Sequence, residues 1–506
     1  MSSPSLLYSA AQVRALDAHA IATGTPGYTL MKRAGEAALR VLRSRWPTAM
    51  RILIAAGSGN NGGDGYVLAR FAQAAGLSAT VLALTPADRL QGDARNAHDD
   101  FKASGGQVQS FASDALAKAD VIVDALLGTG LGSAVRAPFI DAIQAINASG
   151  RPVFALDLPS GLNADSGAAM GIAVRADCTI SFVALKTGLF LGEGPDYTGR
   201  LLFDDLEVSP PDEPRFRAVL ERMSDADIAT ALPPRKRVAN KGDFGRVLIV
   251  GGGAGMPGAV RLAGEACLRV GAGLVTVATA RENLPAIAAG RPELILHPVN
   301  GADDLQQPLD AATVVAIGPG MGRTAWARGL LDRVLASGKP LVIDADALNL
   351  LAERWLAAPR GSVLTPHPGE AARLLRQSTA AVQADRVSAL RQLCDRHPGA
   401  IVVLKGAGTL IGVVDAADNA QDGGAGDPIY ALCERGNPAM ATAGMGDVLT
   451  GAIAGILGQC HDPWLAARAG VMAHALAGDD IARDRQRGVL ALELAEAINR
   501  FVNLRR

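Results

Sequence analysis

The chain has 506 residues, 49% of them hydrophobic and 20% charged, which exceeds a single core of roughly 250–300 residues and is too apolar for a disordered chain. With 49 Lys plus Arg against 50 Asp plus Glu, the net charge of −1 gives no broad field for a nucleic acid or an anionic membrane, so any anion must be held by local geometry. Cys178, Cys267, Cys394, Cys433 and Cys460 form no C-x-x-C pair, which removes the usual signal for zinc or redox chemistry and fits a reducing cytosol.

At the start, Gln12, Arg14, Asp17 and His19 interrupt the apolar positions, unlike a signal peptide, and no apolar run approaches the ~20 residues of a membrane span. Short aliphatic runs then alternate with Ala-rich segments, the pattern of a parallel sheet covered by helices. Strands are expected at 51–56, 79–84, 121–126, 153–158 and 178–183, with helices over 66–75 and 137–148. The run Gly57-Ser58-Gly59-Asn60-Asn61-Gly62-Gly63-Asp64-Gly65 follows the first strand, and its glycines permit a tight turn and close approach of a ligand to backbone N–H groups. Asp64 argues against an ordinary pyrophosphate loop, because a carboxylate about 4 Å from a phosphate charge costs roughly 4 kcal/mol at an effective dielectric near 20. Two more polar turns follow later strands, Asp124-Ala125-Leu126-Leu127-Gly128-Thr129-Gly130-Leu131-Gly132 and Asp157-Leu158-Pro159-Ser160-Gly161. In a doubly wound sheet the carboxyl ends of the strands gather at one edge, so the three motifs should converge.

Ser209-Pro210-Pro211-Asp212-Glu213-Pro214 cannot continue a helix or an interior strand and marks a linker. Beyond it the pattern restarts, with strands expected at 246–250, 274–278, 293–298, 313–317, 341–344, 362–365 and 401–404. Polar or glycine-rich turns follow several of them: Gly251-Gly252-Gly253, Gly318-Pro319-Gly320-Met321-Gly322, Asp344-Ala345-Asp346, Thr365-Pro366-His367-Pro368-Gly369-Glu370 and Lys405-Gly406-Ala407-Gly408-Thr409. The prolines around His367 fix it in a shaped turn, which favours a ligand contact over a purely structural histidine. The stretch 415–427, rich in Asp, Ala and Gly, reads as a mobile loop. Gly436-Asn437-Pro438-Ala439-Met440-Ala441-Thr442-Ala443-Gly444-Met445-Gly446-Asp447 runs into an apolar helix at 448–457. N–H groups of Gly444–Gly446 at that helix start make an anion site, beside which Asp447 is either a cap or a base. Gly451 and Gly455, one turn apart, suit close helix packing.

Taken together, G-x-G-N-N-G-G-D-G, D-A-L-L-G-T-G-L and D-x-P-S-G closely resemble the epimerase part of bifunctional NAD(P)H-hydrate repair enzymes, and the later motifs resemble the ADP/ATP-dependent NAD(P)H-hydrate dehydratases. The resemblance implies an N-terminal Rossmann-like three-layer α/β/α domain (1–215) followed by a ribokinase-like α/β domain (225–506). It implies that Asn60, Asn61, Gly62, Gly63 and Asp64, with Gly128, Thr129, Gly130, Leu131, Gly132, Ser133 and Ala134, contact the hydrated dinucleotide, and that Asn61, Asp124 and Ser160 hold K⁺, a hard cation that suits oxygen ligands. Ala259, Gly320 and His367 would contact the hydrate in the second domain, and Lys405, Gly406, Ala407, Gly408, Thr409 and Gly446 the nucleotide. Asp157 is the expected acid/base of epimerisation, because inverting the carbon that bears the hydroxyl requires proton transfer at that oxygen by either water loss or ring opening. Asp447 is the expected base of an Mg²⁺-assisted phosphorylation that turns the hydroxyl into a leaving group.

The chain departs from the family at Asn240, where His is common before Lys241, and at Met445, where a small hydroxyl residue is usual, so a hydroxyl contact to the nucleotide is lost there. A cytoplasmic homo-oligomer, a tetramer or larger, that binds neither nucleic acid nor membrane is expected. The alternative is a small-molecule kinase with a non-catalytic N-terminal nucleotide-binding domain; a dehydrogenase is disfavoured by Asp64.

Overall fold

Every residue of Val121–Ala125 and of Val153–Leu156 is buried, as befits strands covered on both faces. In the computed structural model, which describes residues 5–414 and 430–503, they lie in the middle of the first of two units, Met1–Leu220 and Glu221–Arg506. The stretch 415–427 read as a mobile loop lies outside the described residues.

The sheet of the first unit has the strand order Gln107–Ser110, Ser78–Ala83, Arg51–Ala56, Val121–Ala125, Val153–Leu156, Cys178–Phe182 and Arg200–Asp204, all parallel. The chain lays down Arg51–Ala56 first, builds outward in one direction, then returns to its other side at Val121–Ala125. That reversal opens a crevice between the loops at 57–59 and 126–131. The outermost strands escape an apolar-run reading because three of the four residues of Gln107–Ser110 are polar and no residue of Arg200–Asp204 is buried.

The glycine motif is shorter as a loop than its composition suggests. Only Gly57–Gly59 is loop, and Asn60–Ala74 is helix. Gly62 makes this possible, since a Cβ there would lie 2.2 Å from the Gly57 carbonyl oxygen, and so does Gly65, whose Cβ would lie 2.8 Å from that of Ala125. A short parallel pair, Leu6–Tyr8 with Leu185–Lys186, registers Tyr8 against Lys186. Ser9 then caps the helix Ala10–Ala22, which carries Asp17.

The second unit repeats the reversal. Ile295–Pro298, Leu274–Thr279, Arg246–Val250, Val314–Ile317, Leu341–Ile343, Val363–Leu364 and Ile401–Leu404 are parallel neighbours in that order, with Thr409–Gly412 and Tyr430–Cys433 added antiparallel. The crevice here falls between the loops after Val250 and Ile317.

Helix Met445–Cys460 lies against Pro257–Arg269, both inside the core. A Cβ on Gly451 would sit 1.9 Å from the Ala263 carbonyl oxygen, and one on Gly455 2.8 Å from that of Cys267, so both glycines are required by backbone approach. Gly451→Ala is therefore expected to cost about 1–3 kcal/mol or more by overpacking. Gly258→Ala, where a Cβ meets nothing within 4 Å, should be neutral or stabilising by up to about 1 kcal/mol. Calorimetric melting of the two variants checks this, and equal melting shifts would refute the packing argument.

Candidate functional sites

The first crevice is a cleft of about 520 Å³ lined by Asn60, Asn61, Asp64, Gly128, Thr129, Gly130, Leu131 and Asp157, together with Asp17 and Lys186. Gly62 and Gly63 pack inward instead, with a Cβ on Gly63 meeting Met31 Cε at 2.5 Å. Gly132, Ser133 and Ala134 continue the 128–131 loop outside the cleft lining.

Asn61, Asp124 and Ser160 come together around Leu127. Asn61 Nδ2 donates to the Leu127 carbonyl at 3.0 Å, while Ser160 Oγ accepts from Leu127 N at 2.8 Å and donates to Asp124 Oδ1 at 2.6 Å. Asp124 Oδ2 accepts from Ser160 N at 2.8 Å. Burial pushes the Asp124 carboxyl up to about 6, against the pull of its bonds from Ser160 and Leu126. Asn61 Oδ1 is buried and has no hydrogen-bond partner. An orphaned acceptor beside a buried carboxylate is unfavourable unless a cation or donor completes it.

Asp157 follows the strand Val153–Leu156 with φ at +66°, in the left-handed region. Its Oδ1 accepts from Phe182 N at 3.2 Å and pairs with Lys186 Nζ. Lys186 is fully buried and also donates to Phe182 O at 2.8 Å and Ser181 Oγ at 3.1 Å. Burial raises Asp17 to about 6, with Lys186 opposing. Burial, then Asp157 and Asp17, push Asp64 well above the carboxylate range, with Lys186 offsetting part of the rise. Sequence reasoning missed Asp17 and Lys186: neither sits in a glycine motif, and Asp17 was visible only as an interruption of an apolar segment.

In the second unit Lys405 Nζ donates to Asp344 Oδ1 at 2.8 Å and lies 3.9 Å from Glu370 Oε2. Thr450 Oγ1 donates to the other Asp344 oxygen at 2.7 Å. Burial favours the neutral acid at Asp344, but Lys405 and the bonds from Lys405 and Thr450 outweigh it and hold the carboxyl below its ordinary value. Glu370 is pushed up to about 7, chiefly by burial.

Gly444, at φ +88°, occupies the N-cap position of helix Met445–Cys460 with no side-chain cap. Asp447 is thus one turn inside and is not the cap. Burial, then Asp344, raises it to about 7. A Cβ on Gly446 would lie 3.3 Å from Lys405 Nζ, so the uncapped helix start and the lysine face one space, and backbone donors and ammonium together suit a phosphoryl group. Half-buried His474 bonds the Met445 carbonyl at 3.0 Å and is held neutral, its value lowered to about 4 chiefly by desolvation of its ring.

The turn Lys405-Gly406-Ala407-Gly408-Thr409 is braced by buried Arg386, which donates to the carbonyls of Leu404, Lys405 and Gly408. His367 is itself the cap of Pro368–Leu375: its Nδ1 accepts from Gly369 N at 3.0 Å, and its side chain is half exposed. Its structural role is therefore real, and its other ring nitrogen, Nε2, lies 3.4 Å from Glu370 Oε1. Ala259 and Gly320 adjoin, a Cβ on Gly320 falling 3.0 Å from that of Ala259. Gly320 lines a second cleft of about 430 Å³ with Met256, Arg281 and Trp326. Asn240 caps its own turn by accepting from Gly242 N at 2.9 Å. Among the described residues no group of three or more His, Cys, Asp or Glu is placed to hold a metal, and no helix is long and apolar enough to cross a membrane.

Residues 27–188 match the family model described as YjeF-related protein N-terminus, and residues 247–500 that of NAD(P)H-hydrate dehydratase. The bifunctional NAD(P)H-hydrate repair enzyme of Coxiella burnetii is 46% identical over 98% of this chain and 99% of its own length. That of Escherichia coli is 43% identical over 94% and 90%. Among solved structures, the ADP/ATP-dependent NAD(P)H-hydrate dehydratase of Bacillus subtilis co-crystallized with ATP/Mg²⁺ is 30% identical, covering 55% of this chain and 96% of its own, at a TM-score of 0.47. With the three motifs of the first unit, the anion loop of the second and near full-length identity, the chain belongs to the bifunctional NAD(P)H-hydrate repair enzymes.

Proposed function

We propose that residues 1–215 interconvert the R and S epimers of hydrated NADH or NADPH through Asp157, and that residues 225–506 dehydrate the S form through Asp447 with ADP or ATP. The observation that carries this reading is the position of Asp447 within the first turn of an uncapped helix, beside Lys405, with its carboxyl near the pH at which a base works best.

In the second unit Asp447 takes the proton of the ring hydroxyl as that oxygen attacks the terminal phosphorus of the nucleotide. The bond to the departing nucleotide breaks, giving AMP from ADP or ADP from ATP. Gly444–Gly446 N–H groups and Lys405 hold the charge on the transferred group, each donor contributing up to about 3 kcal/mol where charge develops. The ring nitrogen lone pair then expels phosphate, and loss of a proton from the adjacent ring carbon restores the dihydronicotinamide. Mg²⁺, when bound, would neutralise phosphate charge; among the described residues no group of three or more carboxylate, His or Cys ligands is placed to hold it without the nucleotide.

The glycine turn 405–409, held by Arg386, contacts the nucleotide, and Ala259, Gly320 and the outward side of His367 contact the hydrate. In the first unit Asn60, Asp64 and the 128–134 loop contact the hydrate. Asn61 Oδ1, the Asp124 carboxylate and Ser160 Oγ form an oxygen set that fits K⁺ and would relieve the orphaned Asn61 acceptor. A kinase reading shares the anion loop but requires a stable phosphorylated product, which the ring nitrogen of this substrate does not leave.

Asp447→Asn should lower dehydration by roughly 10²–10⁴-fold and leave epimerisation intact, measured as recovery of dihydronicotinamide absorbance and as epimer exchange without nucleotide. Because the base must be ionised, the dehydration kcat should fall as pH drops through about 7. A kcat independent of pH across that range, or a variant that dehydrates normally but melts earlier, would assign Asp447 to stability alone.

Replacing K⁺ by tetramethylammonium should slow epimerisation and lower the first unit's melting temperature. Asp124→Ala should make both insensitive to the exchange. Unchanged rate and melting in the wild-type protein would remove the cation from this reading.

A further inference from the structure

Net epimerisation neither consumes nor releases a proton, so a group that accepts one at the ring must be matched by a group that gives one. A lone Asp157 leaves half of that cycle without an owner. We infer that Lys186 is a positioning residue that clamps Asp157 by one oxygen and leaves the other to accept the substrate proton, and that the Asp64 carboxyl across the same cleft is the proton donor. This rests on the reading of the first cleft as the epimerisation site.

The geometry supports a clamp rather than a substrate contact. Lys186 is fully buried, and its three ammonium hydrogens are matched by Asp157 Oδ1, Ser181 Oγ and Phe182 O. An ammonium has three donors and no acceptor, so nothing is left over for the hydrate. The same Asp157 oxygen accepts from Phe182 N. Oδ2 has no hydrogen bond among the described residues, and Asp157 lines the cleft. The +66° φ of Asp157, costly for a residue other than glycine, is tolerated where the surrounding contacts over-determine it. Two partners on one oxygen supply that restraint.

Asp64 stands on the helix Asn60–Ala74 facing the same space. The charged and titratable groups around the cleft are Asp17 and Arg14 of Ala10–Ala22, Asp64, Asp93 of Gly92–Ala103, Asp157 and Lys186. Three carboxyls, Asp17, Asp64 and Asp157, act on one another there with a single ammonium among them, and burial with the charges of Asp157 and Asp17 favours the protonated form of Asp64, against the pull of Lys186. Opposite protonation of two neighbouring carboxyls is the arrangement of an acid and base pair.

Both chemical routes balance with it. In ring opening, Asp157 takes the hydroxyl proton, C=O forms as the C–N bond breaks, and the ring nitrogen takes the Asp64 proton; rotation and reversal close the other face. In water loss, Asp64 protonates the departing hydroxyl while the nitrogen lone pair forms C=N. Water then adds to the opposite face and loses its proton to Asp157, and exchange with solvent resets both carboxyls.

The test uses the full-length protein with mixed epimers and no nucleotide, following epimer exchange by chromatography against pH. Wild type and Asp157→Asn come first: absence of exchange in the former, or full exchange in the latter, would overturn the site reading itself, independently of Lys186. Lys186→Gln should lower kcat by roughly 10²-fold with little change in KM, because the Asp157 oxygen that faces the cleft is no longer held in place. Lys186→Arg, which keeps a donor for the same oxygen, should recover most of the lost kcat. Asp64→Asn should lower kcat by about 10²-fold and abolish the alkaline limb, where the donor loses its proton. A Lys186→Gln enzyme with wild-type kcat, a Lys186→Arg enzyme no faster than Lys186→Gln, or an Asp64→Asn enzyme with wild-type kcat overturns the inference. A purely structural lysine would lower the melting temperature and leave the kcat of the folded protein unchanged.

Discussion

Both units depend on the same constraint, the close approach of two backbones where the strand order reverses. A Cβ on Gly57 would fall 1.9 Å from the Leu126 carbonyl oxygen, and one on Gly251 2.2 Å from that of Pro319. Only glycine fits, and in each case a main-chain bond crosses the gap, from Gly57 N to Ala125 O at 3.0 Å and from Gly252 N to Pro319 O at 2.9 Å. Because the crevice walls are main chain drawn this close, the polar side chains that begin the next elements are the groups left to face the opening. Asp64 and Asp157 reach the first crevice in this way.

Setting carboxyls around such a crevice carries an electrostatic cost that shapes their chemistry. Two like charges 4 Å apart repel by about 4 kcal/mol at an effective dielectric near 20, and burial adds to that. The response is a set of carboxyls shifted toward neutrality: Asp17 and Asp124 to about 6, Glu370 and Asp447 to about 7. Cations restrain the shift selectively. Asp344, bonded directly to Lys405, stays below its ordinary value although it is more deeply buried than Glu370. One lysine therefore divides a cluster into a permanent anion and groups that exchange protons near neutrality.

Much of this was legible in the sequence because strand interiors and glycine motifs are local signals. The inner strands could be found since runs such as Ile401–Leu404 are wholly apolar and buried, while Gln107–Ser110 and Arg200–Asp204 lack that signature at the sheet edges. The motif residues Asn61, Asp124 and Ser160 converge as a doubly wound order requires. What escaped was non-local. Lys186 lies in Val183-Ala184-Leu185-Lys186-Thr187-Gly188 with nothing nearby to mark it, and its meaning arises only when strand pairing sets it against Tyr8 and its ammonium reaches Asp157. Arg386 reads as one helix arginine among several until the 405–409 turn folds over it. His367 was read as a ligand contact from its flanking prolines, but the same prolines place it where a cap belongs.

The lysines of the two sites, Lys186 fully buried and Lys405 partly so, show why similar frames serve different chemistry. Lys186 uses every hydrogen on protein acceptors, so its charge is consumed inside the wall and the carboxyl groups of Asp17, Asp64 and Asp157 are left to face the first cleft, suited to moving protons on an uncharged ring. Lys405 makes one hydrogen bond among the described residues, to Asp344, with Glu370 at 3.9 Å. Its remaining hydrogens lie beside the uncapped N–H groups of Gly444–Gly446, within about a van der Waals contact of where a Gly446 side chain would begin. Donors left unmatched in a buried space favour an anion. The identity of the residue is the same in both units; the number of acceptors supplied around it decides whether the site orients a carboxylate or receives a phosphoryl group.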